Sequence, residues 1–300
     1  MPETLAVEMR CDIQIPTWFG VGGRADRLAR PRTLEQLVQC VESDPDCRIL
    51  GDGANLLVAD TGVRELVVSL DAMRDVSYEA NGVVRVAAGA KLHRLVQETA
   101  ARGLAGLHTL AGVPASIGGA VAMNAGGKHG STYDHLVELT TIDRRGVVHT
   151  EPARAFAACY RDGGLGDRIV AGAAFRLVPD DPAALRARVK AIMLEKKHTQ
   201  PLAADSAGCV FKNPVLQEAI AGVGRAGQRV GAGLLIDRAG CKGWAVGGAS
   251  VSQRHANFIT VDKKQANAAN IIELIERVGV AVRERFGITL HTEVVIWGAS

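Results

Sequence analysis

The chain has 300 residues, of which 47% are hydrophobic and 22% charged, and its formal net charge is +3. That length brackets one large domain or two to three small ones, and the balance of apolar to charged residues excludes an intrinsically disordered chain. The basic residues are dispersed rather than blocked, which leaves no electrostatic footprint for nucleic acid, and no apolar run reaches the roughly 18 residues that cross a bilayer.

The amino-terminal stretch MPETLAVEMRCDIQIP lacks the apolar core of a secretory signal. Apolar residues at helical spacing then predict four helices, around Leu34, Leu37, Val38 and Val41, around Leu92, Leu95 and Val96, around Leu185, Val189, Ile192 and Met193, and around Ile271, Leu274, Ile275, Val278 and Val282. Strand-like runs lie between them, in RIL before Gly51 and in ELVVSL at 65–70. The Asn81-Gly82 pair between alternating segments predicts a hairpin. A second hairpin is expected in ELTTIDRRGVVHT, and RIVAGAAFRLV, ANFITV and HTEVVIWG complete the strands. Hairpins and long helices without a steady strand-helix-strand repeat point to an α+β fold. The charged helix from about Pro182 to Lys197 reads as a connector, with a boundary near residue 200.

The six cysteines, at 11, 40, 47, 159, 209 and 241, form no CxxC pair and no Cys/His cluster at zinc spacing. Reduced thiols in a cytoplasmic protein, and no metal site, are the expectation.

Glycine is enriched, at 34 residues, and clusters with other small residues where a backbone can approach a ligand closely. GVGGRA, from Gly20 to Ala25, is no dinucleotide fingerprint, because Pro16 and Pro31 leave no room for the flanking strand and helix. GDGANL, from Gly51 to Leu56, and GVPASIGG, from Gly112 to Gly119, lack the standard phosphate-loop endings. Both nevertheless combine freed backbone N–H groups with a small polar side chain, Asn55 or Ser116, and so suit a diphosphate. AVAMNAGG, from Ala120 to Gly127, adds a small-residue surface for a flat ring system.

In order, the chain shows PTWFGVGGRAD, LGDGANLLVAD, AGVPASIGGAVAMNAGG, YRDG, SAGCVFKNP, AGLLIDRAGCKG, VSQRHANFIT and HTEVVIWG. This ordered series, from about residue 15 to 298, resembles the UDP-N-acetylenolpyruvoylglucosamine reductase family, flavoenzymes of bacterial cell-wall synthesis. The short interval between Arg161 and Cys209 fits the family's shorter type, without an extra tyrosine-bearing loop. The resemblance implies a two-subdomain vanillyl-alcohol-oxidase-type FAD-binding region followed by an α+β substrate domain. Subdomain 1 would span 1–70, with a strand from 289–300 returning near it, subdomain 2 would span 71–199, and the substrate domain 200–288.

The same resemblance implies the site. FAD would rest on Gly51, Gly53, Ala54, Asn55 and Leu56, on Pro114, Ser116, Ile117, Gly118 and Gly119, and near Asn124 and Gly126. NADPH would reduce the flavin, which would then pass hydride to C3 of an enolpyruvyl ether on a sugar nucleotide. Arg161 would hold the carboxylate and developing enolate, Glu293 would polarise that carboxylate or share its proton, and Cys209 would protonate C2. Lys212, Asn213 and His255 would contact substrate. Read without the motifs, Cys209 is a core thiol, Arg161 a surface arginine and Glu293 a solvent-facing strand residue. The alternatives are another FAD-dependent oxidoreductase or oxidase of the same fold acting on a sugar or alcohol, or a catalytically idle flavin- or sugar-nucleotide-binding protein. The chain departs from the family pattern at Ala54 and Gly163, each where serine is usual, at Gly127 to Gly130, and at Cys209, where serine would be the acid. A thiol retains its proton at pH 7 and is a stronger acid than a serine hydroxyl.

Overall fold

A computed structural model describes residues 7–298. The chain forms two compact units interleaved along the sequence. The first comprises residues 1–13, 25–52 and 64–195, and the second 14–24, 53–63 and 196–300.

In the first unit, strand Val67–Ser69 pairs in parallel with Arg24–Arg30 and with Arg48–Leu50. Helix α1, Leu34–Ser43, begins where the Thr33 side chain accepts from the Gln36 N–H, and it buries Leu37, Cys40 and Val41. A five-stranded antiparallel sheet follows, in the order Val148–Pro152, Leu136–Ile142, Ile169–Arg176, Val83–Ala87, Val76–Tyr78. Both predicted hairpins are present in it, turning at Gly82 and Gly146, each with positive φ. Helix α2, Leu92–Ala101, and the one-and-a-half-turn helix α3, Ile117–Ala122, pack into the same core through Leu92, Leu95, Val96, Ile117 and Val121. Helix α4, Pro182–Thr199, buries Leu185 and Ile192, whereas Met193, expected on its apolar face, is exposed.

In the second unit, strand Leu56–Val58 pairs in parallel with Val295–Trp297, joining positions far apart in sequence. A small antiparallel sheet runs Ala245–Val246, Ala249–Val251, Ile259–Val261. Helices α5, Ala232–Arg238, and α6, Ala268–Phe286, enclose a core of Phe19, Leu57, Val210, Phe211, Leu235 and Ile236. Helix α6 is specified at both ends. Asn267 and Asn270 form a reciprocal cap, the Asp60 carboxylate accepts from the Ala268 and Ala269 N–H groups at 3.0 Å each, and Gly287 stops the helix at φ +68°. Its Ile271, Leu274, Ile275, Val278 and Val282 are all buried, each contributing about 1.5–3 kcal/mol of apolar transfer.

The four helices expected from periodicity are all present, and α3 and α5 are additions. Both are short and glycine-bearing, so intrinsic propensity argues against them. α3 forms because the Ser116 hydroxyl accepts from the Gly119 N–H and caps its first turn.

Candidate active site

The predicted site residues fall in both units. In the first, Cys159 and Asp162 exchange backbone hydrogen bonds, at 2.9 Å from the Cys159 N–H and 3.2 Å from the Asp162 N–H, so Tyr160 and Arg161 form a two-residue turn. Arg161 is half-buried and adopts φ +59°, a left-handed conformation that costs a non-glycine residue on the order of 1 kcal/mol. Its guanidinium lies 5.1 Å from the centre of the Tyr160 ring. Asn124 holds this turn, since its Nδ2 donates to the Cys159 carbonyl at 3.0 Å while its Oδ1 accepts from the Tyr133 N–H.

Gly163 follows directly. Its N–H donates to the Ala122 carbonyl at 2.9 Å, and its own carbonyl accepts from the Tyr133 hydroxyl at 2.6 Å. A Cβ at 163 would run into the Val121 carbonyl oxygen, so a serine there would require the backbone to shift. Burial pushes the Tyr133 phenol up to about 12, with Asp162 adding to the effect, and so it remains a donor.

Gly51 and Ser116 also lie in this unit, in contact distance of one another, and a Cβ at Gly51 would strike the Ser116 hydroxyl. The N–H groups of Ile117, Gly118 and Gly119 are already taken by Ala90, Ala88 and the Ser116 hydroxyl. Ser116, Ile117 and Gly118 are buried while Pro114, Gly119, Asn124 and Gly126 are partly exposed, so the run from Ile117 to Gly119 offers small residues rather than open donors. At Gly119 a side chain would meet the Ser116 hydroxyl at 3.3 Å and nothing else within 4 Å. Lys91 pairs with Asp52, which offsets the negative charge beside the Gly51 loop.

In the second unit the GDGANL loop continues. Gly53 has φ +63°, and a Cβ there would strike the Pro16 carbonyl oxygen, so glycine is required by the protein's own packing. Among the described residues, no hydrogen-bond acceptor takes the backbone N–H of Gly53, Ala54 or Asn55, although Gly53 and Ala54 are buried. Buried backbone donors normally find a partner, and successive open N–H groups suit an anion. A diphosphate group fits this donor set. The Asn55 side chain is committed elsewhere, because its Nδ2 donates to the Glu293 carbonyl at 2.9 Å while the Asn55 carbonyl accepts from the Val295 N–H.

That bond leads to the segments of Glu293 and Cys209. Glu293 is half-buried, and its N–H donates to the Val210 carbonyl at 2.7 Å. Phe211 bridges Thr292, and the Lys212 N–H donates to the His291 carbonyl. Cys209 and Glu293 thus lie on two paired segments, with Glu293 opposite Val210, the residue after Cys209. Cys209 is half-buried, is in no disulfide and follows Gly208 at φ +78°. Three residues earlier the Ser206 hydroxyl is buried without a hydrogen-bond partner. Asn213 caps α5, its Oδ1 accepting from the Ala232 N–H at 2.9 Å. The His255 imidazole is half-buried and packs edge-on against Phe258 at 4.9 Å. Burial holds its pKa below the usual value, and Lys242 adds to the depression.

The family model described as UDP-N-acetylenolpyruvoylglucosamine reductase, C-terminal domain, matches residues 200–297, and one described as FAD binding domain matches residues 25–151. A UDP-N-acetylenolpyruvoylglucosamine reductase from Moorella thermoacetica is 41% identical over 287 residues, covering 94% of this chain and 90% of that protein. The chain belongs to the UDP-N-acetylenolpyruvoylglucosamine reductase family. The family member from Alkalilimnicola ehrlichii is 38% identical over 94% of this chain and 91% of its own length. A crystal structure of the Thermus caldophilus member matches with a TM-score of 0.79 at 35% identity, covering 97% of this chain and 98% of that one. Membership fixes the fold class as the α+β arrangement of an FAD-binding region and the family's carboxy-terminal domain.

Residues that motif reading passed over are Asn257, Tyr133, Lys91 and Ser206. Each acts through partners distant in sequence or through burial, and neither leaves a trace in spacing. Among the described residues no group of His, Cys, Asp and Glu is arranged to hold a metal ion, and no helix is long and apolar enough to cross a membrane.

Proposed function

We propose that this chain reduces the enolpyruvyl ether of UDP-N-acetylglucosamine-enolpyruvate to UDP-N-acetylmuramate for peptidoglycan synthesis, using FAD and NADPH. The pairing of the Cys209 and Glu293 segments supports it most directly, since it ties the segment of the proton donor to the segment of a carboxylate by backbone hydrogen bonds. Bound FAD would supply hydride-transfer chemistry between NADPH and C3 of the substrate.

Cys209 gives its thiol proton to C2, which completes the saturated ether, and the thiolate recovers a proton from solvent. Arg161 holds the substrate carboxylate, where negative charge develops, as fixed positive charge does in a water-poor site. Glu293 polarises that carboxylate or shares a proton with it. The open N–H groups of Gly53, Ala54 and Asn55 grip the diphosphate of FAD, while Gly51, Leu56, Pro114, Ser116, Ile117, Gly118, Gly119, Asn124 and Gly126 shape the surface for it. Lys212, Asn213 and His255 orient the sugar nucleotide. FAD binding belongs to residues 1–70 and 71–199, and substrate binding to 200–288. The six free cysteines agree with a cytoplasmic enzyme, and the reaction calls for neither nucleic acid nor membrane.

Anaerobic spectroscopy tests this reading. The FAD-loaded protein should bleach on addition of NADPH and regain its yellow colour when the enolpyruvyl substrate is added. Protein that cannot be reconstituted with FAD, or reduced flavin that recovers with oxygen but not with the enolpyruvyl substrate, would overturn it.

A further inference from the structure

The segment that follows the proposed proton donor has a buried anchor. Asn257 is 2% exposed, and it contacts the Cys209 segment through three hydrogen bonds. Its Oδ1 accepts from the Phe211 N–H at 2.9 Å, its Nδ2 donates to the Phe211 carbonyl at 2.8 Å, and its backbone carbonyl accepts from the Val210 N–H at 2.9 Å. The side-chain amide thus pairs with Phe211 as a neighbouring strand would, offering one donor and one acceptor in a plane. The Val210 carbonyl, on the other side of the same peptide segment, accepts from Glu293. Asn257 is itself fixed by the turn before it, where its N–H donates to His255 Nδ1 at 3.3 Å and the Ser252 hydroxyl accepts from the Arg254 and His255 N–H groups.

We infer that Asn257 is a positioning residue for proton delivery. It touches none of the reacting atoms, and it sets the peptides that follow Cys209 and, through Val210, the one that carries Glu293. No other side chain of similar size replaces it. Aspartate would oppose its carboxylate to the Phe211 carbonyl, and alanine or leucine would leave a buried N–H and C=O without partners. Gly208, on the other flank of Cys209, has a left-handed backbone and no atom within 4 Å of where a side chain would begin. The bonds from Asn257 hold the Cys209 backbone from its carboxy-terminal side. Displacement of a reacting group by a fraction of an ångström lowers a rate steeply, so loosening this anchor should slow the step that Cys209 performs more than any other.

The inference rests on the function proposed above, and the experiment keeps the two apart. N257D is purified with FAD and each half-reaction is followed by rapid mixing. Flavin reduction by NADPH should stay within twofold of the unsubstituted enzyme. Reoxidation by the enolpyruvyl substrate should slow by about 10- to 100-fold, with KM changing less than kcat. The same substitution in a Cys209→Ala background should slow that step by less than threefold further, because residues acting as a unit are not additive. Equal losses in both half-reactions, a full additional loss in the Cys209→Ala background, or a normal N257D would each overturn the inference. If N257D fails to retain FAD, N257S carries the same measurements, and loss of FAD in both would overturn it by making Asn257 a folding residue. An unsubstituted enzyme that does not consume the enolpyruvyl substrate would instead remove the functional reading itself.

Discussion

The turn that carries Arg161 and the segment that carries Cys209 achieve rigidity by different means. The Arg161 turn closes on itself within four residues, through the reciprocal bonds of Cys159 and Asp162, and it retains a strained backbone at its tip that Asn124 braces. The Cys209 segment is held by partners distant in sequence. It is fixed by Asn257, 46 residues beyond Phe211, and by Glu293 near the carboxy terminus, which is in turn tied to Asn55 across 238 residues. A locally closed turn fails alone when it is damaged, whereas a ladder of distant partners transmits the damage to each of its members.

The largest effect expected from this contrast is at Cys209. Alanine there should leave flavin reduction by NADPH unchanged and slow reoxidation by the enolpyruvyl substrate by about 10²- to 10⁴-fold, the usual worth of a positioned acid. Serine should restore activity to within about tenfold, since it also carries a proton. An alanine variant with a normal second half-reaction would return Cys209 to the role of a core thiol. Next in size is Arg161→Lys, which exchanges a planar fork for a point charge. It should slow the second half-reaction by about 10- to 100-fold while the first stays normal, and because the turn is closed locally the thermal midpoint should hardly move. Equal loss in both half-reactions would place Arg161 in folding or NADPH binding.

How far each region was legible in sequence follows from the same contrast. YRDG announces a tight turn, and the hairpins at Gly82 and Gly146, the long helices and the α+β class rest on equally local signals. Cys209 and Glu293 stood out through the ordered motifs, but nothing in their spacing indicated that their segments pair. In RHANF the histidine drew attention, while Asn257 owes its importance to Phe211, a partner that no periodicity reveals. The glycine loops carry packing constraints that sequence does not show, for a related reason. Gly53 looked like a residue cleared for a ligand, and its close neighbour is the Pro16 carbonyl. The Ser116 to Gly119 run looked like open backbone, and it is a capped helix with its N–H groups occupied.

That last difference yields a smaller and sharper test of the FAD surface. Because a Cβ at Gly119 meets nothing but the Ser116 hydroxyl within 4 Å, and valine is no worse a helix former than glycine, Gly119→Val should fold. It should weaken FAD binding by about tenfold or more if the diphosphate crosses this surface. Titration of apoprotein with FAD, alongside a thermal melt, separates the two effects. Unchanged FAD affinity in a folded variant would place the cofactor elsewhere.

The smallest effect concerns two histidines that match chemically and differ in surroundings. His108 in the first unit and His255 in the second each accept a nearby backbone N–H on Nδ1, from Gly106 at 3.2 Å and Asn257 at 3.3 Å. Burial depresses both below the usual histidine value of 6.5, assisted by Arg188 and His135 at His108 and by Lys242 at His255. A depressed pKa means that the unfolded chain binds the proton more readily. The stability each neutral ring supports is therefore complete above pH 6.5 and declines as the pH falls from 6.5 through the lower folded-state value. Replacing either with glutamine should flatten the acid side of the melting profile by about 1–3 °C, so thermal melts from pH 7.5 to 5 provide the measurement. The consequences for catalysis should diverge. Protonating His255 puts a second donor against the Asn257 N–H and disturbs the anchor of the Cys209 segment, so His255→Gln should alter the pH dependence of substrate-driven flavin reoxidation. His108→Gln should leave that dependence as it was. If both variants alter it equally, the two regions respond as one and the distinction between a locally closed turn and a distributed ladder fails.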